Sequence, residues 1–161
     1  MNAVLRPAHR LRLMTLADVD AVSAIENLAY PFPWTRGNFT DSLVAGYPAR
    51  VLVDDARGAR IIGYFVAMEG VDEVHLLNIS VTPAEQGRGL GRWMLDALVE
   101  LCRGCDAQQL WLEVRQSNPK AKALYERYGF REVGVRRGYY PAAQGQREDA
   151  RVMTLTVEPA P

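Results

Sequence analysis

Apolar residues along this chain switch between a period of two and a period of about 3.6, and each switch marks an element. His9-Arg-Leu-Arg-Leu-Met-Thr15 alternates like an edge strand. Thr15 with Asp18 three residues on is a capping-box start, and Val19, Val22, Ile25 and Ala29 follow at helical spacing. Pro31-Phe-Pro-Trp34 stops that helix, and Thr35 caps a second, short one to about Val44. Arg50–Asp55 and Ala59–Glu69 read as two strands joined by a turn containing Arg57-Gly58, and Val74–Val81 as the next, closed by Thr82-Pro83.

A longer helix follows, with Leu90, Trp93, Met94, Ala97, Leu98 and Leu101 on one stripe and Gly104 as its expected C-cap. Gln109–Arg115 is a strand. Asn118 caps a helix whose first residue is Pro119, and Gly129 ends it. Phe130–Arg137 and Arg151–Val157 are strand-like, with Tyr139-Tyr140-Pro141 expected in the loop between them. The order is βαα, three strands, then αβαββ, which predicts a single α/β or α+β domain around a mixed sheet.

Composition narrows the class without naming a chemistry. The 161 residues are 48% hydrophobic and 24% charged, with a formal net charge of zero. Such a chain fits one domain and carries no electrostatic footprint for direct nucleic-acid or membrane binding. No apolar run is long enough to span a bilayer, and Met1–Pro7 lacks a signal-peptide core, so a cytoplasmic protein is expected. Residues 1–8 and 158–161 are expected to be flexible tails. Cys102 and Cys105 form a C-x-x-C, but Cys102 falls on the apolar stripe four residues after Leu98, and no second metal-ligand pair exists. Cys102 therefore reads as a small core residue, and no metal is expected.

The chemistry begins at Ile79-Ser-Val81-Thr-Pro-Ala-Glu-Gln86-Gly87-Arg88-Gly89-Leu90-Gly91-Arg92. A strand runs into alternate glycines and then a helix start, where free amides and the helix dipole suit a phosphate or pyrophosphate. A nucleotide P-loop would need a lysine after the glycines, and a dinucleotide fingerprint needs G-x-G-x-x-G, whereas this segment reads G-x-G-x-G.

Gln86-x-x-Gly89-x-Gly91 between a meander strand and a helix resembles the acyl-CoA pyrophosphate loop of the GNAT N-acetyltransferase superfamily. Leu110–Arg115, Asn118 and Ala123–Phe130 resemble its second half in the same order. The resemblance implies the GNAT fold, a mixed sheet of about seven strands with about four helices, and acetyl-CoA as co-substrate. A narrower resemblance spans Arg12 to Val157. Tyr30-Pro-Phe32-Pro-Trp34, Asn78–Val81, Arg137-Gly-Tyr139-Tyr140-Pro141 and Arg147-Glu-Asp-Ala150 are similar to the branch that acetylates the N-terminal alanine of a small-subunit ribosomal protein.

By that resemblance, the Ile79–Ser80–Val81 backbone would hold the pantetheine arm, and the amides of Gly87, Arg88, Gly89, Leu90, Gly91 and Arg92 the pyrophosphate. Asn118 would contact the pantetheine region. Phe32, Trp34, Tyr139 and Tyr140 would flank the peptide entrance. The reaction needs a base for the amine and an acid for the departing thiolate. Glu113 is the candidate base, a carboxylate on an otherwise apolar strand; the plainer reading is a solvated strand residue or an ion-pair partner of Arg115. Tyr125, protonated at neutral pH, is the candidate acid. Tyr128 reads as core or surface, and His75 as a strand histidine with ordinary packing. Glu69, Asp72 and Glu73 suit either a basic peptide segment or a solvated turn. The alternatives are acetylation of a small-molecule amine or lysine side chain, and a CoA-binding module without catalysis.

Overall fold

The computed structural model describes residues 8–161, so the expected leading tail lies, apart from Ala8, outside the described residues. In chain order the elements are β1 (His9–Leu13), α1 (Val19–Ala29), α2 (Arg36–Val44), β2 (Ala49–Asp54), β3 (Arg60–Glu69) and β4 (Glu73–Val81). They continue with α3 (Leu90–Gly104), β5 (Gln109–Arg115), α4 (Pro119–Tyr128), β6 (Arg131–Pro141) and β7 (Arg147–Thr156). The sheet has seven strands in the order β1-β2-β3-β4-β5-β7-β6. It is mixed: β4 and β5 run parallel, while β1–β2, β2–β3, β5–β7 and β6–β7 are antiparallel. The fold class and element order expected from hydrophobic periodicity are those observed.

Two compact units divide the chain. One holds the stretch ending at Val66 together with Asn78–Leu90; the other holds Ala67–Leu77 and Gly91–Pro161.

In the first unit, Val51, Leu52 and Val53 are fully buried in succession, as in a strand covered on both faces. Val22 and Ile25 of α1, Phe39 of α2, and Ile62 and Tyr64 of β3 complete this core. The start of α1 follows its sequence signal: Asp18 accepts the Thr15 N–H at 2.8 Å and takes Arg12 in a two-pronged ion pair at 2.8 and 2.9 Å. That pairing holds the Asp18 carboxyl below its ordinary range. Thr35 and Asn38 cap α2 reciprocally, at 3.1 and 2.9 Å. At Gly63 a Cβ would stand 2.8 Å from the Ser80 carbonyl oxygen, so this close strand approach requires glycine.

In the second unit, Met94, Leu95, Leu98 and Cys102 of α3 are fully buried. Strand β5 alternates cleanly: Leu110, Leu112 and Val114 are buried, while Trp111, Glu113 and Arg115 on the other face are only partly so. The cap of α4 is as expected, with Asn118 Oδ1 accepting the Ala121 N–H at 3.2 Å and Gly129 at φ +123°.

Two expectations are corrected. Gly104 is the last helical residue of α3 rather than its cap, and the left-handed position falls on Asp106, at φ +57°. Tyr139-Tyr140-Pro141 is not a loop but the end of β6; the turn is the short stretch Ala142–Gln146. Gly138 adopts φ +57°, and its N–H donates to Asp149 at 2.8 Å. Pairing shifts register there and then resumes as Tyr140↔Glu148 and Pro141↔Arg147. The glycine that signals a turn makes a bulge instead.

Candidate active site

The glycine segment is built on the end of β4. A single 3₁₀ turn, Pro83–Glu85, follows Val81, and Gln86 Nε2 donates back to the Val81 carbonyl at 2.9 Å. Gly87 and Gly89 take φ +79° and +78°, a conformation other residues reach only with strain. A Cβ at either position would meet nothing within 4 Å, so their exposed backbone is open to a ligand. This fits a bound pyrophosphate arm. Gly91 differs: it lies in the first turn of α3, and a Cβ there would reach Leu124 at an ordinary 3.5 Å. Arg92 lies over the Tyr128 ring at 5.8 Å, and Tyr128 donates to Asp96 at 2.6 Å, a surface role.

Sequence reasoning missed the side chain that pins this loop. Glu85 is 3% exposed, and its two oxygens take Arg57 at 2.6 Å and Arg88 at 2.8 Å. Arg88, whose backbone amide is the part expected at the pyrophosphate, has its guanidinium on Glu85. The available signal was one acidic residue just before the glycines with arginines on both sides in sequence.

Glu26 was missed as well. It sits on the apolar stripe of α1 and is 2% exposed. Its Oε1 accepts the Tyr64 hydroxyl and the Asn78 amide (2.9 Å), and its Oε2 accepts the Trp34 backbone N–H at 2.8 Å. One carboxylate therefore ties the Phe32-Pro33-Trp34 loop to β3 and β4. The Trp34 ring packs on Phe39 at 5.2 Å, and Phe39 meets Tyr64 edge-on at 5.6 Å. Tyr30 donates to the Ile79 carbonyl at 2.6 Å, fixing the backbone expected to carry pantetheine. Burial, with Glu26 nearby, pushes the Tyr30 phenol up to about 12. Ser80 and Val81 are buried.

In the second unit, the hydrogen bonds of Glu113 and Arg115 lead to different partners. Arg115 takes Glu148 at 2.7 Å and lies over the Tyr140 ring at 4.4 Å. The partner of Glu113 is His75, whose Nε2 is 2.7 Å from Oε1; Arg136 Nε stands 3.6 Å from Oε2. The Glu113 side chain is 7% exposed. His75 is thus no ordinarily packed strand residue. Arg136 also lies over the Tyr139 ring at 5.2 Å, and Tyr139 meets Tyr140 edge-on at 4.9 Å. Arg136 thus stands between Glu113 and Tyr139, which in turn meets Tyr140. Tyr125 is buried and packs edge-on to Phe130 at 5.7 Å. Asn118 serves as the α4 cap. The Cys102 thiol, fully buried, is pushed up to about 11 by that burial and stays protonated, as a core residue would.

Residues 19–130 match the Acetyltransferase (GNAT) family. The chain is 40% identical over 147 residues to the ribosomal protein bS18-alanine N-acetyltransferase of Salmonella typhimurium, covering 91% of this chain and 97% of that one. It is 39% identical over 140 residues to the protein of the same name from Escherichia coli K12, covering 87% and 92%. The crystal structure of the ribosomal-protein-S18-alanine N-acetyltransferase from Escherichia coli superposes with a TM-score of 0.84 at 35% identity, over 95% of this chain and 96% of that one. GNAT acetyltransferases use acetyl-CoA as acetyl donor. The fold, the glycine loop and these likenesses agree: the chain belongs to the GNAT acetyltransferase family, as a RimI-like member of it.

Proposed function

We propose that this enzyme moves the acetyl group of acetyl-CoA onto the α-amine of an N-terminal alanine of a small-subunit ribosomal protein, in the cytoplasm. The observation that carries the reading is the 40% identity over 91% of the chain to a relative named for that reaction.

In this reading the Ile79–Val81 backbone holds the pantetheine arm, with Asn118 contacting the same region. The amides from Gly87 to Arg92 hold the pyrophosphate. Phe32, Trp34, Tyr139 and Tyr140 receive the peptide. An α-amine has a pKa of about 7.7–8.0, against about 10.4 for lysine, so near neutral pH a useful fraction is already unprotonated. A carboxylate acting through water is then a sufficient base, and Glu113 takes the ammonium proton. The new N–C bond forms at the thioester carbonyl, and the C–S bond breaks. The Val81 N–H meets the developing negative charge on the carbonyl oxygen, and Tyr125 donates its proton to the thiolate that leaves. No side chain carries the acetyl group, so both substrates bind before transfer.

The test is mass spectrometry of ribosomal-protein N-termini in cells with and without the gene, joined to turnover on an alanine-starting peptide, a polyamine and an N-blocked lysine peptide. Loss of acetyl from one alanine terminus, with turnover confined to the peptide amine, is expected. Faster turnover on the polyamine or the lysine peptide would overturn the reading.

A further inference from the structure

We infer that His75 is a positioning residue for the transfer: its imidazole fixes one oxygen of Glu113 and so aims the other at the amine's proton. The inference rests on the assignment of Glu113 as base and adds a residue to it.

The geometry follows from two strands. The parallel ladder pairs His75 of β4 with Trp111 of β5. Glu113 is two residues beyond Trp111 and so lies on the same face of the sheet. From that diagonal position the imidazole reaches the carboxylate at 2.7 Å, in a setting where His75 is 21% and Glu113 7% exposed. With the ring hydrogen on Nε2, the imidazole donates to the Glu113 carboxylate. The two oxygens of Glu113 are consequently unlike. Oε1 is engaged by the imidazole, whereas Oε2 faces Arg136 at 3.6 Å, beyond hydrogen-bond length. Arg136 is half-exposed and shares its guanidinium with the Tyr139 ring, so Oε2 keeps acceptor capacity for water or substrate.

A base that swings is a poor base. A displacement of about an ångström at a reacting group can cost about a hundredfold, and a donor that stops the Glu113 carboxylate from rotating guards against that loss.

The test contrasts His75→Gln, whose side-chain N–H reaches the place of Nε2, with His75→Asn, which stops short of Glu113. Each is measured for kcat, for KM of an alanine-starting peptide and of acetyl-CoA, and for melting temperature. His75→Asn is expected to lower kcat about tenfold to a hundredfold with both KM values nearly unchanged and melting lowered by several degrees, while His75→Gln keeps most of kcat and of the melting temperature. In a Glu113→Gln background, His75→Asn should add no further loss, because its effect passes through the carboxylate. Equal kcat for the Asn and Gln variants would overturn the inference. So would a full additional loss in the Glu113→Gln background, which would mean that His75 acts on its own. Full turnover by Glu113→Gln alone is a different failure: it removes the assignment of the base itself, and this inference with it.

Discussion

The Glu26 and Glu113 side chains are both largely withdrawn from water, yet their surroundings fit them for opposite work. Glu26 meets three neutral donors, the Tyr64 hydroxyl, the Asn78 amide and the Trp34 N–H, with a partner on each oxygen. Glu113 meets one imidazole on Oε1 and a guanidinium beyond hydrogen-bond length at Oε2. A saturated carboxylate has little acceptor capacity left for a substrate proton and serves as an anchor. One with a held oxygen and an open oxygen is poised to accept. Burial does not separate the two, and neither does residue type; the count of donors on each oxygen does.

The sharpest way to break this contrast is to neutralise each carboxylate. Glu113→Gln keeps shape and removes basicity, so kcat should fall about 10²–10⁴-fold while acetyl-CoA affinity and melting temperature stay nearly constant. Stopped assays of CoA release and calorimetric titration with acetyl-CoA measure both sides. Tyr125→Phe should fall next, by about a hundredfold in kcat, since the thiolate must then leave without a positioned acid. Retention of full turnover by either variant would remove that residue from the mechanism.

Glu26→Leu should show the inverse pattern. It leaves a hydroxyl, an amide and a backbone N–H without their acceptor, at about 1–3 kcal/mol for each buried group that stays unpaired. For a chain of this size each kcal/mol lowers the melting temperature by about 2–4 °C, so a drop on the order of 10 °C is expected. Peptide KM should rise as the Trp34 loop loosens, with a smaller change in kcat than Glu113→Gln produces. A Glu26→Leu protein that melted normally but lost kcat as deeply as Glu113→Gln would erase the distinction between anchor and base.

These partners explain what the sequence could and could not disclose. Periodicity, caps and prolines are local signals, so α1 with Val22 and Ile25, the alternating strand at Leu110–Val114, and the Asn118-Pro119 start of α4 were legible. So was the glycine loop, because its conformational demand lies within one segment. The Tyr139–Pro141 stretch misled because a glycine before two aromatics and a proline reads as a turn. Its strand pairing depends on Asp149, eleven residues from Gly138. The partners of Glu113 were illegible for the same reason on a larger scale. His75 is 38 residues away, and the nearer cation, Arg115, takes Glu148 and the Tyr140 ring. Glu26 gave a faint signal, an acidic residue inside an apolar stripe, but its donors come from loop, β3 and β4 together.

Smaller effects are expected in the glycine loop, where the contrast extends to the ligand. Gly89→Val places a branched side chain at φ +78°, a conformation that costs about 1–2 kcal/mol even before it crowds a bound pyrophosphate. Acetyl-CoA affinity should fall about tenfold or more by calorimetry, with kcat at saturation little changed. An unchanged affinity would separate this loop from the pyrophosphate.

Glu85 completes the series from the other side. It is as buried as Glu26, but both of its oxygens are taken by guanidiniums, Arg57 at 2.6 Å and Arg88 at 2.8 Å. Both arginines are about half-exposed, 52% and 54%, so salt and water weaken the pairs, and each contributes roughly 1 kcal/mol or less. Glu85→Gln should therefore be the mildest variant. Acetyl-CoA affinity should weaken a few-fold as the turn before Gly87 loses its grip, and kcat at saturation should not move. Freed from Glu85, Arg88 would be available to an anionic ligand, which works against that loss and makes it smaller at low salt. A Glu85→Gln enzyme with lowered kcat at saturating acetyl-CoA would show that a saturated carboxylate takes part in the chemistry after all, and donor count would then fail as the property that tells anchor from base.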